Sequence, residues 1–193
     1  MDRRIVAECV LESLRAGVVP WQHPANALPY FRDVFGAFIG GEPRGETEAD
    51  YSELDEIIRA TGVKIVHHWR VVKPRCDRPP LDRILLPPRS RFWNERQYQA
   101  TRIHETLHYL EASWRLGWIG SDHQAEMVAE IGTGFLESYL RLPPDLLDTN
   151  IRKWLPAWTD GIRSDPDYLF DAVAQAGKAV RYLLDLRRMK EAA

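Results

Sequence analysis

The spacing of apolar residues along the chain predicts a mostly helical protein. Apolar side chains recur every three to four positions in several segments, which is the period of a helix with one buried face. The predicted helices cover residues 4–16, 50–60, 95–115, 122–140 and 165–189. The buried stripe expected on the last helix consists of Leu169, Val173, Ala176, Val180, Leu183 and Leu184. Pro143 and Pro144 precede shorter helices that we expect around Trp154 and Trp158.

Two short runs of the sequence predict strands. VKIVHHW at 63–69 and DRILLP at 82–87 are aliphatic or β-branched and are bounded by glycine or proline. The second run lies between two proline pairs, which favours an edge strand over a central one. Because the strands precede most of the helices, the order of elements predicts an α+β domain with a small sheet.

The segment between the first two helices predicts irregular structure, because residues 18–46 are rich in proline and glycine. We therefore expect an N-terminal helix with a Pro/Gly-rich arm at 1–49, followed by a domain at 50–193. A chain of 193 residues is long enough to bury a core of its own.

The overall composition is that of a globular protein, with 45% apolar and 28% charged residues. The net charge of -2 indicates no general preference for nucleic acid or for a membrane surface. No apolar run has the length that a membrane span requires. Cys9 and Cys76 form no CxxC spacing and favour a reducing compartment, so a cytoplasmic location is expected.

Charge is nevertheless uneven along the chain. Residues 67–96 carry eight basic side chains against three acids, whereas residues 42–56 carry seven acids and one arginine. Two solvated faces of opposite charge explain this pattern. The alternative is a phosphate-facing surface on which Trp69, Phe92 and Trp93 stack bases, although aromatic residues near a strand more often belong to a core.

The HETLH sequence at 104–108 is the main candidate for chemistry. His104 and His108 are four residues apart on a predicted helix, so both imidazoles project from the same face and can reach one ion. Glu105 then lies beside the remaining coordination position. Catalytic zinc takes three protein ligands, so a third ligand is still needed.

The following helix offers that ligand. Glu126 is expected to bind the metal, and Glu130, one turn later, to accept a hydrogen bond from the other nitrogen of a ligand histidine. The alternative is that Glu126, Glu130 and Glu137 form the solvated face of an amphipathic helix. The prediction is one Zn²⁺ per chain, with other divalent transition metals possible.

Two longer stretches resemble a known family. LDRILLPPRSRFWNERQYQATRIHETLHYLEASWRL and AEMVAEIGTGFLESYL are similar to the zincin-like metallopeptidase domain of ArdC-type antirestriction proteins, found on plasmids and phages. The resemblance covers about residues 50–185. ESLRAGVVPWQHP is similar to the start of that family's single-stranded-DNA-binding domain, but the rest of that domain is shortened. Single-stranded DNA binding is therefore expected to be weak or absent. Thr106 and Tyr109-Leu110-Glu111 also depart from the family's sequence around HExxH.

The resemblance implies a zincin-like fold, in which a small, twisted, mostly antiparallel sheet packs on the HExxH helix and a helical subdomain follows. It also implies a peptidase in which Glu105 activates a metal-bound water and a protein or peptide is the substrate, held along the DRILLP strand. Four residues are candidates for oxyanion stabilisation: Tyr98, Tyr109, His123 and Tyr139. The alternative function is a non-catalytic, zinc-containing binding module that masks a host protein or a nucleic acid.

Overall fold

The computed structural model describes residues 2–16, 18–21, 49–112, 115–117, 120–143 and 149–192. Six helices and three strands lie within them: α1 Arg3–Arg15, α2 Ser52–Ala60, β1 Lys64–His67, β2 Arg75–Asp77, β3 Arg83–Leu86, α3 Glu95–Leu110, α4 Asp122–Leu140, α5 Thr149–Ser164 and α6 Asp167–Glu191. The predicted α+β class is confirmed. The predicted irregular segment at 18–46 lies outside the described residues from position 22 onward, so the division at residues 49 and 50 stays a prediction.

The sheet has the strand order β1-β3-β2. β3 pairs in parallel with β1 and antiparallel with β2, so the sheet is mixed and not mostly antiparallel. The expectation that DRILLP forms an edge strand is therefore wrong. The flanking prolines lie outside the paired residues Arg83–Leu86 and remove no hydrogen bond from the ladder. Ile84, Leu85 and Leu86 are all buried, as expected for a central strand covered on both faces.

The helices form one core with the sheet. α6 packs against α2, α4 and α5, and α4 packs against α3 and α5. All six residues of the predicted stripe on α6 are buried. α1 contributes Val10 and Leu11 to the same core, and Trp21 packs edge-on against Trp158 of α5 with ring centroids 6.0 Å apart.

Two helical predictions differ from the structure in detail. The region around Trp154 and Trp158 is one helix of 16 residues and not two shorter ones. Pro156 lies inside α5 at an exposed position, where water can hydrate the carbonyl group that loses its N–H partner. The HETLH helix ends at Leu110, five residues earlier than expected. Among the described residues, no helix has both the length and the apolar character needed to cross a bilayer.

Candidate metal centre

Helix α3 holds the HETLH residues in place through a well-defined start and a buried face. The Asn94 side chain accepts a hydrogen bond from the Gln97 backbone N–H at 2.8 Å, and the Gln97 side chain accepts one from Trp93 N–H at 2.9 Å. The first bond satisfies one of the free N–H donors at the helix start, and the second ties the residue before the cap to the first turn. Ile103 and Leu107 are completely buried against the core, which directs His104 and His108 towards a cleft.

Helix α4 comes very close to α3 at this point. A Cβ atom added to Gly132 would lie 2.8 Å from Cδ1 of Leu107, which is shorter than real Cβ contacts. A side chain at this position would therefore have to displace the fully buried Leu107 side chain or move the two helices apart. Because Gly132 has no side chain, the part of α4 that carries Glu126 and Glu130 can approach the two histidines.

The structure brings together the three residues predicted as ligands. Nε2 of His104 and Nε2 of His108 are 3.1 Å apart. Glu126 faces both, with Oε2 3.5 Å from Nε2 of His104 and Oε1 3.8 Å from Nε2 of His108. One ligand atom from each of the three residues lies within 4.8 Å of the others.

Both histidines are also held from behind by carboxylates. Nδ1 of His104 lies 3.1 Å from Oε1 of Glu130, the residue expected there from the sequence. Nδ1 of His108 lies 3.1 Å from Oε2 of Glu111. A hydrogen bond at Nδ1 orients each ring and leaves the Nε2 lone pairs turned towards the same point. Sequence reasoning missed Glu111, although its position three residues after His108 was a usable signal.

The alternative of a solvated glutamate face on α4 is wrong. Glu130 and Glu137 are each 6% exposed, and the Glu126 side chain is 22% exposed. Carboxylates with so little contact to water require compensating positive charge or hydrogen bonds.

The donor set fits a divalent cation. Four carboxylates, those of Glu105, Glu111, Glu126 and Glu130, surround two imidazoles that are neutral when they bind a metal. Burial alone would lower the pKa of His104, but Glu130 and Glu126 stabilise its positive form and hold that pKa well above its usual value. The site therefore stabilises positive charge at the point where the Nε2 atoms meet.

Glu105 lines the same cleft but is not one of the three residues whose ligand atoms converge. Its side chain is buried and lines the cleft. Burial raises the pKa of its carboxyl group, while His104 and His108 oppose the rise and Glu126 adds to it. A carboxyl group whose pKa lies above its ordinary range is suited to both accepting and returning a proton.

The cleft has a volume of about 1140 Å³ and extends from the histidines to β2. On its wall, Asp82 accepts a hydrogen bond from Arg115 at 2.6 Å, and the Arg115 guanidinium stacks on the Tyr109 ring, 3.4 Å from its centroid. Cys76 of β2 also lines the cleft. Burial, followed by the charge of Glu105, raises the pKa of the Cys76 thiol to about 12. Neither Cys76 nor Arg115 was predicted from the sequence to line the site.

Of the four candidates for oxyanion stabilisation, Tyr109 alone lines this cleft. Tyr98 lies 3.1 Å from Nε2 of His67 on another surface. His123 is bound by Ser121 and Tyr168, with Nδ1 2.8 Å and 2.9 Å from their hydroxyl oxygens. Tyr139 packs against the core.

Known proteins resemble the chain in sequence and in fold. Solved structures that are similar to the chain include two of the antirestriction protein ArdC from the R388 plasmid. A metal-free structure matches with 29% identity and a TM-score of 0.64, over 76% of this chain and 54% of that one. A Mn(II)-bound structure matches with a TM-score of 0.74 over 97% and 98% of the two chains; its identity of 20% shows the fold alone.

Two curated relatives, both described as DNA primase TraC from Escherichia coli, are 28% and 29% identical to the chain over 80% of its length. The chain spans only 11% and 15% of these relatives. The resemblance to the zincin-like domain of ArdC-type proteins, inferred from the sequence, is confirmed by the ArdC structures and by the profile of the zincin-like metallopeptidase family, which matches residues 52–175. The chain belongs to the zincin-like metallopeptidase family.

Proposed function

We propose that the chain is a metal-dependent peptidase in which His104, His108 and Glu126 hold the ion and Glu105 handles the proton. The observation that carries this proposal is the convergence of two Nε2 atoms and one carboxylate within 4.8 Å, with Glu105 buried beside them. When bound, a divalent ion acts there as a Lewis acid and makes water nucleophilic at neutral pH.

The other steps belong to residues of this chain. Glu105 accepts a proton from the water that attacks the scissile carbonyl, and it returns this proton to the leaving amine. Glu130 and Glu111 keep the imidazole rings oriented through Nδ1. Tyr109, held by the stacked Arg115, is the residue we assign to the developing oxyanion, since it lines the cleft beside Glu105.

The substrate strand pairs with β2 in this proposal. β2 has a neighbour on one side only among the described residues, and residues 74–78 around it line the cleft. An extended peptide can therefore form backbone hydrogen bonds with its open edge. The role expected for DRILLP passes to β2, because both edges of β3 are already paired.

We expect zinc as the native ion, because imidazole nitrogen and carboxylate oxygen are ligands of catalytic zinc sites. Manganese is the alternative, suggested by the Mn(II)-bound ArdC structure. The likeness to ArdC also supports an antirestriction role in the service of a mobile element.

Metal removal tests the peptidase proposal. The purified protein is incubated with a proteome-derived peptide library, and new termini are read by mass spectrometry. Cleavage should stop after chelation and return with zinc or manganese. If the metal-loaded protein produces no new termini, or the chelated protein produces as many, the peptidase proposal fails.

The second candidate is a non-catalytic binding module. Trp69 is 62% exposed and stacks with the Arg70 guanidinium 4.7 Å from its ring centroid, and Trp93 is 89% exposed. Such side chains are available to a partner, whereas Phe92 packs partly buried against Tyr98. This candidate is favoured if the Glu105→Gln protein protects incoming DNA from restriction as well as the wild type does in a cell-based transfer assay.

A further inference from the structure

The charges of the cleft differ between its inner end and its mouth. At the inner end, Glu105, Glu111, Glu126 and Glu130 are gathered around the two histidines. The remaining wall acids of β2 and the loop after it are neutralised locally, since Asp77 pairs with Arg75 and Arg83, and Asp82 pairs with Arg115. Outside these pairs, the acids of the lining are the four at the candidate metal centre, together with buried Glu137 and exposed Asp122.

The mouth carries cations that no described carboxylate pairs with. Lys73, Arg78, Arg91 and Lys153 line the cleft and are exposed. Arg91 donates one hydrogen bond at 3.1 Å to the carbonyl oxygen of Val71, and Lys153 stacks on the Trp154 ring. Against these four cations, Asp122 is an exposed acid of the same lining. The mouth therefore has an excess of positive charge available to a ligand.

Apolar side chains lie among these cations. Trp93 is 89% exposed and Val72 is 79% exposed, and both line the cleft beside Lys73 and Arg91. Aromatic and arginine side chains are enriched at protein–protein interfaces, so Trp93 beside Arg91 is suited to contact a polypeptide. Residues 74–78 around β2 line the same wall, and no described strand pairs with the outer edge of β2. This edge can therefore form backbone hydrogen bonds with a peptide.

We propose that the mouth of this cleft selects a polypeptide segment in which acidic side chains flank a large apolar side chain. The acidic groups face Lys73, Arg78 and Arg91, the apolar group packs on Trp93 and Val72, and the backbone pairs with β2. The open strand edge favours a polypeptide over a nucleic acid, which has no backbone amides to complete a sheet. The inference rests on the proposed function, because it names the substrate class of the same cleft.

Binding is measured apart from cleavage. Three peptides of equal length carry a central leucine flanked by glutamate, glutamine or lysine, together with a neutral dye. Their affinity for metal-loaded Glu105→Gln protein is read by fluorescence anisotropy at low and physiological salt. The glutamate peptide should bind most tightly, and its advantage should shrink as salt rises.

Charge reversal identifies the surface. Adding Lys73→Glu and Arg78→Glu should weaken binding of the glutamate peptide by about 10-fold or more and favour the lysine peptide. Arg4→Glu with Lys178→Glu is the matched control, since both residues are exposed on helices outside the cleft lining. That control should leave the ranking unchanged.

The outcomes separate this inference from the peptidase proposal. If the glutamate peptide binds preferentially but the wild type cleaves none of the three, the acidic selectivity holds and the peptidase proposal fails. Cleavage at equal rates with equal affinities would overturn the selectivity and leave the peptidase intact. A single-stranded oligonucleotide that binds more tightly than the glutamate peptide, through Lys73 and Arg78, would also overturn it and make the mouth a nucleic-acid interface.

Discussion

Each histidine of the centre depends on two carboxylates with different tasks. Glu126 faces the Nε2 atoms, whereas Glu130 and Glu111 contact Nδ1 from the opposite side of the rings. The roles of Glu126 and Glu130 were predicted from their distance along the sequence from His108 and by analogy with zincins that use a glutamate ligand. The contact of Glu111 with His108 was harder to predict, because α3 ends at Leu110 and the position of Glu111 depends on the geometry of that helix end.

These roles predict a ranking of metal affinities. Glu126→Ala should abolish tight binding, because it removes a ligand. Glu130→Ala and Glu111→Ala should each weaken binding about 10- to 100-fold, the usual effect of losing a partner of a ligand histidine. Competition with a chelator measures the ranking, and Glu12→Ala on α1 serves as the control. A Glu126→Ala protein that binds metal more tightly than Glu130→Ala would contradict the assignment.

At the scale of elements, the centre exists because α3 and α4 meet, while β2 lines another part of the cleft. Helix existence was predictable, since the periodic patterns of α3, α4 and α6 are long and regular. Strand order was not predictable, because the prolines flanking β3 suggested an edge strand. In the structure β3 is the central strand, and Ile84, Leu85 and Leu86 are all buried. β2 has three residues and no pattern of its own; its pairing with β3 defines it.

The contact between α3 and α4 yields a prediction at Gly132. Gly132→Ala should reduce stability by about 1–3 kcal/mol, because Leu107 is fully buried and has little space to yield. Metal affinity should fall as well, since Glu126 and Glu130 would move away from the histidines. Chemical denaturation and chelator competition measure the two effects.

Gly177→Ala on α6 provides the matched control for Gly132→Ala. Its added Cβ meets Arg181 at an ordinary 3.5 Å, and alanine favours the helix by roughly 0.5–1 kcal/mol. The control should therefore be neutral or stabilising, with unchanged metal affinity. Equal behaviour of the two variants would show that the helices are not packed as closely at Gly132 as described.

At the scale of the whole molecule, the basic residues do not form a uniform surface. Several cations of the segment 67–96 are neutralised by neighbours, as in the pairs of Arg83 with Asp77 and Arg89 with Glu95. The net charge of -2 opposes non-specific attraction of phosphates. Composition predicted this overall balance, but only the fold distinguishes paired cations from those at the mouth of the cleft.

We therefore predict weak binding of single-stranded DNA that is lost as salt rises, because few phosphates can be neutralised at once. Anisotropy titration with a labelled oligonucleotide at several salt concentrations measures it. Tight binding that persists at physiological salt would contradict this prediction and favour the binding-module candidate.

The central claim is that this centre hydrolyses peptide bonds with Glu105 as its base. The most direct measurement compares cleavage of the peptide library by wild-type and Glu105→Gln proteins at equal metal occupancy, verified by elemental analysis. Glutamine keeps the shape of the side chain, but its amide is too weak a base to accept the proton, so the rate should fall by about two orders of magnitude or more while metal content stays the same. A Glu105→Gln protein that cleaves at the wild-type rate would contradict the claim.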